Sequence, residues 1–215
     1  GLGDVYKRQV EDLATLSDRP DRFIGLHFFY HPAKNRLVEI IPSSRTSSET
    51  IQSVIQYCGA MGKVVILCKD RPGFVVNRFF VPWLNEACKL LDEGFGTPAE
   101  IDNVAKDCFD IGMGPFELMN LTGPSIALHS TDYLASQLQV DRYKGADSLR
   151  RLVEEGIQWD LAGVSGEFSS KDRKEIRNRL LGVVLCIASQ IVEEEICAME
   201  DVDRGAKVGL RWPMG

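Results

Sequence analysis

IGLHFFYHPAKNRLVEIIP, residues 24–42, decides how this chain reads. It holds two apolar runs, IGLHFF and LVEIIP, separated by about seven residues. Each is short and rich in β-branched or aromatic side chains, the mark of a buried strand. A short loop between them makes them neighbours in one sheet. Glu39 interrupts Leu37, Val38, Ile40 and Ile41. A carboxylate inside an apolar strand costs several kcal/mol, on the order of 2 or more, unless it is paired or hydrogen-bonded. His27, near the end of the first strand, is its natural partner. A carboxylate beside an imidazole orients the ring, the arrangement a general base needs. The same pair could equally serve only to hold two strands together.

Outward from this stretch, residues 10–70 read as mixed α/β. VEDLATL (10–16) is a short amphipathic helix. TSSE (46–49) has the spacing of a capping box and predicts a helix start. The apolar residues of that helix, Ile51, Val54, Ile55 and Cys58, fall at i, i+3, i+4 and i+7. Gly59 and Gly62 can end it. KVVILC (63–68) is a further buried strand. At KDRPGF (69–74) the pattern changes and helices dominate. Residues 77–93 predict one helix, with a possible bend at Pro82. TPAE (97–100) predicts the next start: Thr97 caps, Pro98 takes the first helical position and Glu100 reaches back. Further helices follow around GPFELMN and TGPS. AGVSGEFSS (162–170) is a connection, and a long helix runs from about 171 to 195.

The helical region repeats. Shifted by 101 residues, 77–114 lies on 178–215 without a gap. Asn77-Arg78 matches Asn178-Arg179, Asp102 matches Asp203, Ala105-Lys106 matches Ala206-Lys207, and Met113-Gly114 matches Met214-Gly215. About ten positions are identical, and most others exchange one apolar residue for another. The expected organisation is 1–9, a foreign or artefactual segment; 10–70, the end of an α/β domain; 71–165, a first helical copy; and 166–215, a second, truncated copy. GLGDVYKRQV, with Gly1 and Gly3, invites comparison with a phosphate-binding turn. No strand precedes it, and Tyr6 holds the third glycine position.

The composition is that of a soluble globular chain: 44% hydrophobic and 26% charged over 215 residues. A net charge of -6 argues against a nucleic-acid groove or an anionic-membrane anchor. No apolar run approaches the roughly 20 residues that span a bilayer. The six cysteines contain no C-x-x-C pair and read as buried, reduced thiols of a cytoplasmic protein. His27 and His31 are four apart but not on a helix, so no metal site is expected. Asn77 follows a Pro-Gly turn on the first turn of a helix. Its amide either caps and packs, or bonds a hydroxyl that becomes a carbonyl.

Taken together, DRFIGLHFF, LVEII with Glu39 twelve residues after His27, KDRPGFVVNR with Asn77 fifty after His27, and MGPFEL resemble the 3-hydroxyacyl-CoA dehydrogenase family. The resemblance implies the C-terminal part of a Rossmann-type, NAD-binding α/β domain. A mainly α-helical domain follows, of the 6-phosphogluconate dehydrogenase C-terminal kind and partly duplicated. It implies NAD-dependent oxidation of a (3S)-3-hydroxyacyl-CoA to a 3-oxoacyl-CoA, in β-oxidation or 3-hydroxybutyryl-CoA metabolism. His27 then matches the catalytic base, Glu39 the carboxylate that orients it, and Asn77 the amide on the reacting oxygen. A homodimer through the helical domain, and fusion to an enoyl-CoA hydratase, are further expectations. Two departures stand out. Tyr30 replaces an Asn that touches the nicotinamide, and Tyr6 stands where the family has a catalytic serine. The isolated chain is therefore expected to be inactive. The other readings are a non-catalytic helical dimerisation module derived from such an enzyme, and a related dehydrogenase of another hydroxy acid.

Overall fold

The computed structural model of the protein describes residues 9–163 and 168–215. The expected foreign segment therefore lies, but for Gln9, outside the described residues, as does the middle of the 162–170 connection. The described residues group into two units. The first holds residues 9–76, 191–211 and 215, and the second holds the remainder.

β2 (Leu37–Pro42) is buried from Leu37 through Ile41, as its unbroken apolar run requires. It is the middle strand of three. β1 (Ile24–Phe28) pairs with it antiparallel, and β3 (Val64–Leu67) pairs with it parallel. The parallel partner is reached through α2 (Ser48–Ala60). Val38, Ile40 and Cys58 form the core between sheet and helix, with Ile24, Val54, Ile55 and Val65 packed against them. α1 (Val10–Thr15) closes this end of the unit, its start held by Asp70, which accepts the N–H of Glu11 at 2.9 Å.

The start of α2 lies one residue later than TSSE suggests. Ser47 is the cap, and its hydroxyl accepts the N–H of Thr50. Thr46 instead donates its hydroxyl to the Phe23 carbonyl at 2.6 Å and accepts the Ser43 N–H at 2.8 Å. A tertiary anchor has taken the side chain that local spacing assigns to the helix. Gly59 lies inside α2, and Gly62, at φ 71°, makes the turn after it.

In the second unit, α3 (Val76–Asp92) runs through Pro82. Its side chains Phe79 and Trp83 are buried with Phe109 and Trp212 in one aromatic cluster. α4 (Pro98–Phe109) has the expected reciprocal cap of Thr97 and Glu100. α5 (Pro115–Thr122), α6 (Pro124–Leu138) and α7 (Asp147–Glu155) follow. Asp102 accepts the N–H groups of Phe116 and Glu117 at 2.8 and 2.9 Å, and so caps the start of α5. α8 (Ser170–Glu193) buries Ile176, Leu180, Ile187 and Ile191, a helical stripe. Its Arg179 is paired with Glu86 and Glu93.

Two matched Asp–Gly pairs of the repeated segments make similar close approaches. A Cβ added at Gly114 would fall 2.3 Å from Asp102 Cγ, and one at Gly215 would fall 2.7 Å from Asp203 Cγ. The copies also diverge. α4 is regular over twelve residues, whereas α9 (Met199–Arg204) gives way to a π-helical turn, Gly205–Gly209. That part of the second copy groups with the sheet. Among the described residues, no helix is long and apolar enough to cross a membrane.

Candidate active site

The antiparallel register sets His27 directly opposite Glu39. Their side chains meet: His27 Nδ1 lies 2.6 Å from Glu39 Oε2. The carboxylate has no solvent exposure, while the imidazole keeps 30% of its side-chain surface. The other carboxylate oxygen, Oε1, accepts the backbone N–H groups of Val75 and Val76 at 3.1 and 2.9 Å. Three donors thus converge on one buried acceptor, which answers the cost of placing Glu39 in the strand. An ionised Glu39 can only accept, which assigns the donor role to Nδ1 and, in the neutral ring, the acceptor role to Nε2.

The two backbone donors come from the Pro-Gly turn. Gly73 and Phe74 both have left-handed backbones, at φ 78° and 46°. For Phe74 that conformation is costly, on the order of 1 kcal/mol, and the surrounding bonds hold it. It turns the Val75 and Val76 N–H groups toward Glu39. It also sets the Phe74 ring 5.6 Å from the His27 ring, with Phe29 at 4.7 Å and steeply inclined to it. The imidazole is therefore fixed by one hydrogen bond and two aromatic contacts.

Tyr30 lies in the loop after β1 and is 80% exposed. Asn77, next after Val76, is half-buried in the first turn of α3 and belongs to the second unit. The structure thus brings His27 and Glu39 into contact. Phe74 and the N–H groups of Val75 and Val76 were not foreseen as parts of the site. The Pro-Gly pair before them was the available signal.

Burial pushes the Cys68 thiol well up from its ordinary range, with the charge of Glu39 adding to it. Burial likewise pushes Cys197 up to about 12. Both remain thiols at neutral pH. Among the described residues no group of three His, Cys, Asp or Glu could hold a metal ion.

Two family models match adjoining parts of the chain. Residues 7–71 match the NAD binding domain of 3-hydroxyacyl-CoA dehydrogenase, and residues 73–159 match the C-terminal domain of the same family. The chain belongs to the 3-hydroxyacyl-CoA dehydrogenase family. Its boundary between models falls inside the Pro-Gly turn that holds Glu39. A probable 3-hydroxybutyryl-CoA dehydrogenase of Deinococcus radiodurans is 38% identical over 158 residues, 74% of this chain and 56% of that protein. Mouse mitochondrial hydroxyacyl-coenzyme A dehydrogenase is 42% identical over 115 residues, 54% of this chain and 37% of that protein. The chain spans about half the length of the curated relatives it matches. The crystal structure of 3-hydroxybutyryl-CoA dehydrogenase from Escherichia coli K12 superposes with a TM-score of 0.84 over 97% of this chain and 65% of that one. At 18% identity that likeness speaks for the fold.

Proposed function

We propose that this chain forms the catalytic end of an NAD-dependent 3-hydroxyacyl-CoA dehydrogenase, oxidising the (3S)-hydroxyl of an acyl-CoA to a ketone. The observation that carries the reading is the 2.6 Å contact between a partly exposed imidazole and a fully buried carboxylate. His27 Nε2 takes the hydroxyl proton. As it does, positive charge grows on the ring, and Glu39 balances it across the Nδ1–H bond where water does not screen. The family resemblance gives Asn77 the role of the amide on the reacting oxygen. Phe29 and Phe74 keep the ring from rotating away, so that no reorientation is needed during the step.

Bound NAD supplies the hydride acceptor. Among the described residues no strand passes through Gly-x-Gly-x-x-Gly into a helix, the turn that would hold a pyrophosphate. Tyr30, which is exposed, would lie beside the nicotinamide. A homodimer and linkage to an enoyl-CoA hydratase belong to the same reading.

The test is NADH consumption with acetoacetyl-CoA by a protein that carries this sequence. His27→Ala lowers kcat by roughly a hundred- to ten-thousandfold, the ordinary contribution of a positioned base. Near-normal turnover in that variant would reduce the pair to a strand-to-strand tie.

A further inference from the structure

The Gly205–Gly209 turn lies flush against the sheet. A Cβ at Gly205 would come within 2.8 Å of Val76 Cγ2 and 3.5 Å of Ile66 Cδ1. A Cβ at Gly209 would come within 2.6 Å of Leu37 Cδ2 and 3.8 Å of Val76 Cγ2. Gly205 has an ordinary helical backbone, φ -59°, so close approach rather than backbone freedom is what requires glycine there. The repeat makes the same point. The first copy has Val104 and Cys108 where the second has Gly205 and Gly209.

A side chain joins this turn to the loop between β1 and β2. Asn35, almost fully buried, donates from Nδ2 to the Gly209 carbonyl at 2.8 Å, and its Oδ1 accepts the Leu37 N–H at 3.0 Å. Its own N–H bonds the His31 carbonyl at 2.8 Å. Val76 is the other link. The residue that Gly205 packs tightly against, and that Gly209 also neighbours, is the one whose N–H holds Glu39 Oε1.

We infer that the Gly205–Gly209 turn is a buttress that sets the His27–Glu39 pair, acting through Val76 and Asn35. These two are positioning residues: neither touches the reacting atoms. The inference rests on the proposed reading of His27 as the base.

The test uses the 215-residue chain and the His27 Nδ1 proton, which a short bond to a buried carboxylate moves far downfield in a proton NMR spectrum. Its absence in His27→Ala assigns it. Gly205→Ala pushes Val76 aside, and the signal is lost or exchanges rapidly with water. Val76→Ala added to Gly205→Ala makes room for the new methyl and restores it. Asn35→Asp keeps the acceptor for Leu37 but removes the donor to Gly209, and it weakens the signal without adding bulk. This second variant decides the matter should Gly205→Ala not fold. A signal retained at full strength in Gly205→Ala and Asn35→Asp, or not recovered in the double variant, overturns the inference. Loss of the same signal in Ile187→Val, a mild core change in the second unit, would show it to report general stability and would overturn the inference too. Turnover does not enter the measurement, so failure of the buttress and failure of the proposed activity are separate outcomes.

Discussion

Glu39 has no exposure and three donors, and its replacement separates shape from charge. Glu39→Gln keeps the size but turns an NH2 toward a donor, leaving at least one buried N–H unpaired. Destabilisation of about 2–3 kcal/mol is expected, read from the urea midpoint. Asp102 gives the clearest pH signature. Burial pushes its carboxyl up from 3.8 to about 6, against the N–H groups of Phe116 and Glu117, which pull it down. The folded state therefore holds this proton more tightly than the unfolded chain. The contribution is full below the unfolded value and is lost as pH rises through about 6. Between these values stability should fall by on the order of 2 kcal/mol, and Asp102→Asn should flatten that part of a urea-midpoint profile. At this scale the sequence was informative where a polar side chain sat among apolar ones, as Glu39 does. It was silent on the Val75 and Val76 N–H groups, because a backbone donor leaves no mark in the residue identity. Asn35 went unnoticed for a related reason: its partner is a carbonyl 174 residues away.

Helix boundaries were legible wherever the capping chemistry is local. Thr97, Pro98 and Glu100 form the expected start of α4 because all three partners lie within one turn. Thr97→Ala should cost about 1 kcal/mol in thermal or urea unfolding. The start of α2 slipped by one residue because the Thr46 hydroxyl goes to Phe23, a strand away. Glycines within helices divide by the same logic. Gly182 lies exposed in α8 with nothing within 4 Å of an added Cβ. Gly182→Ala should stabilise by about 0.5–1 kcal/mol, since only the backbone entropy changes. Gly205→Ala should destabilise, because Val76 already fills the space. Sequence period alone does not distinguish these two glycines; what each faces does.

Over the whole molecule, the gapless repeat was visible as sequence but its divergence was not. Matching apolar positions say that two segments share a helical pattern, and Asp102–Gly114 and Asp203–Gly215 keep the same close contact. They do not say which surface each copy will cover. Gly205 and Gly209, small where the first copy has Val104 and Cys108, let the second copy lie against β2, and there it groups with the sheet. The cysteines carry the same lesson. All six were read as buried, yet Cys186 is exposed on α8, with Arg142 Nη1 3.0 Å from its sulfur. Cys58, Cys68 and Cys88 are buried, and burial pushes each of their thiols up. Cys108 and Cys197 are half-buried and shifted the same way for the same cause. The thiolate is the reactive form, so a raised thiol is slow to alkylate even where a reagent can reach it. Brief iodoacetamide treatment of the native chain at neutral pH should therefore label Cys186 first and Cys108 and Cys197 slowly. Cys58, Cys68 and Cys88 should wait for denaturant. Peptide mass spectrometry reads the order directly. Early labelling of Cys68 would mean that the end of β3 opens in the native state, and with it the wall beside Glu39.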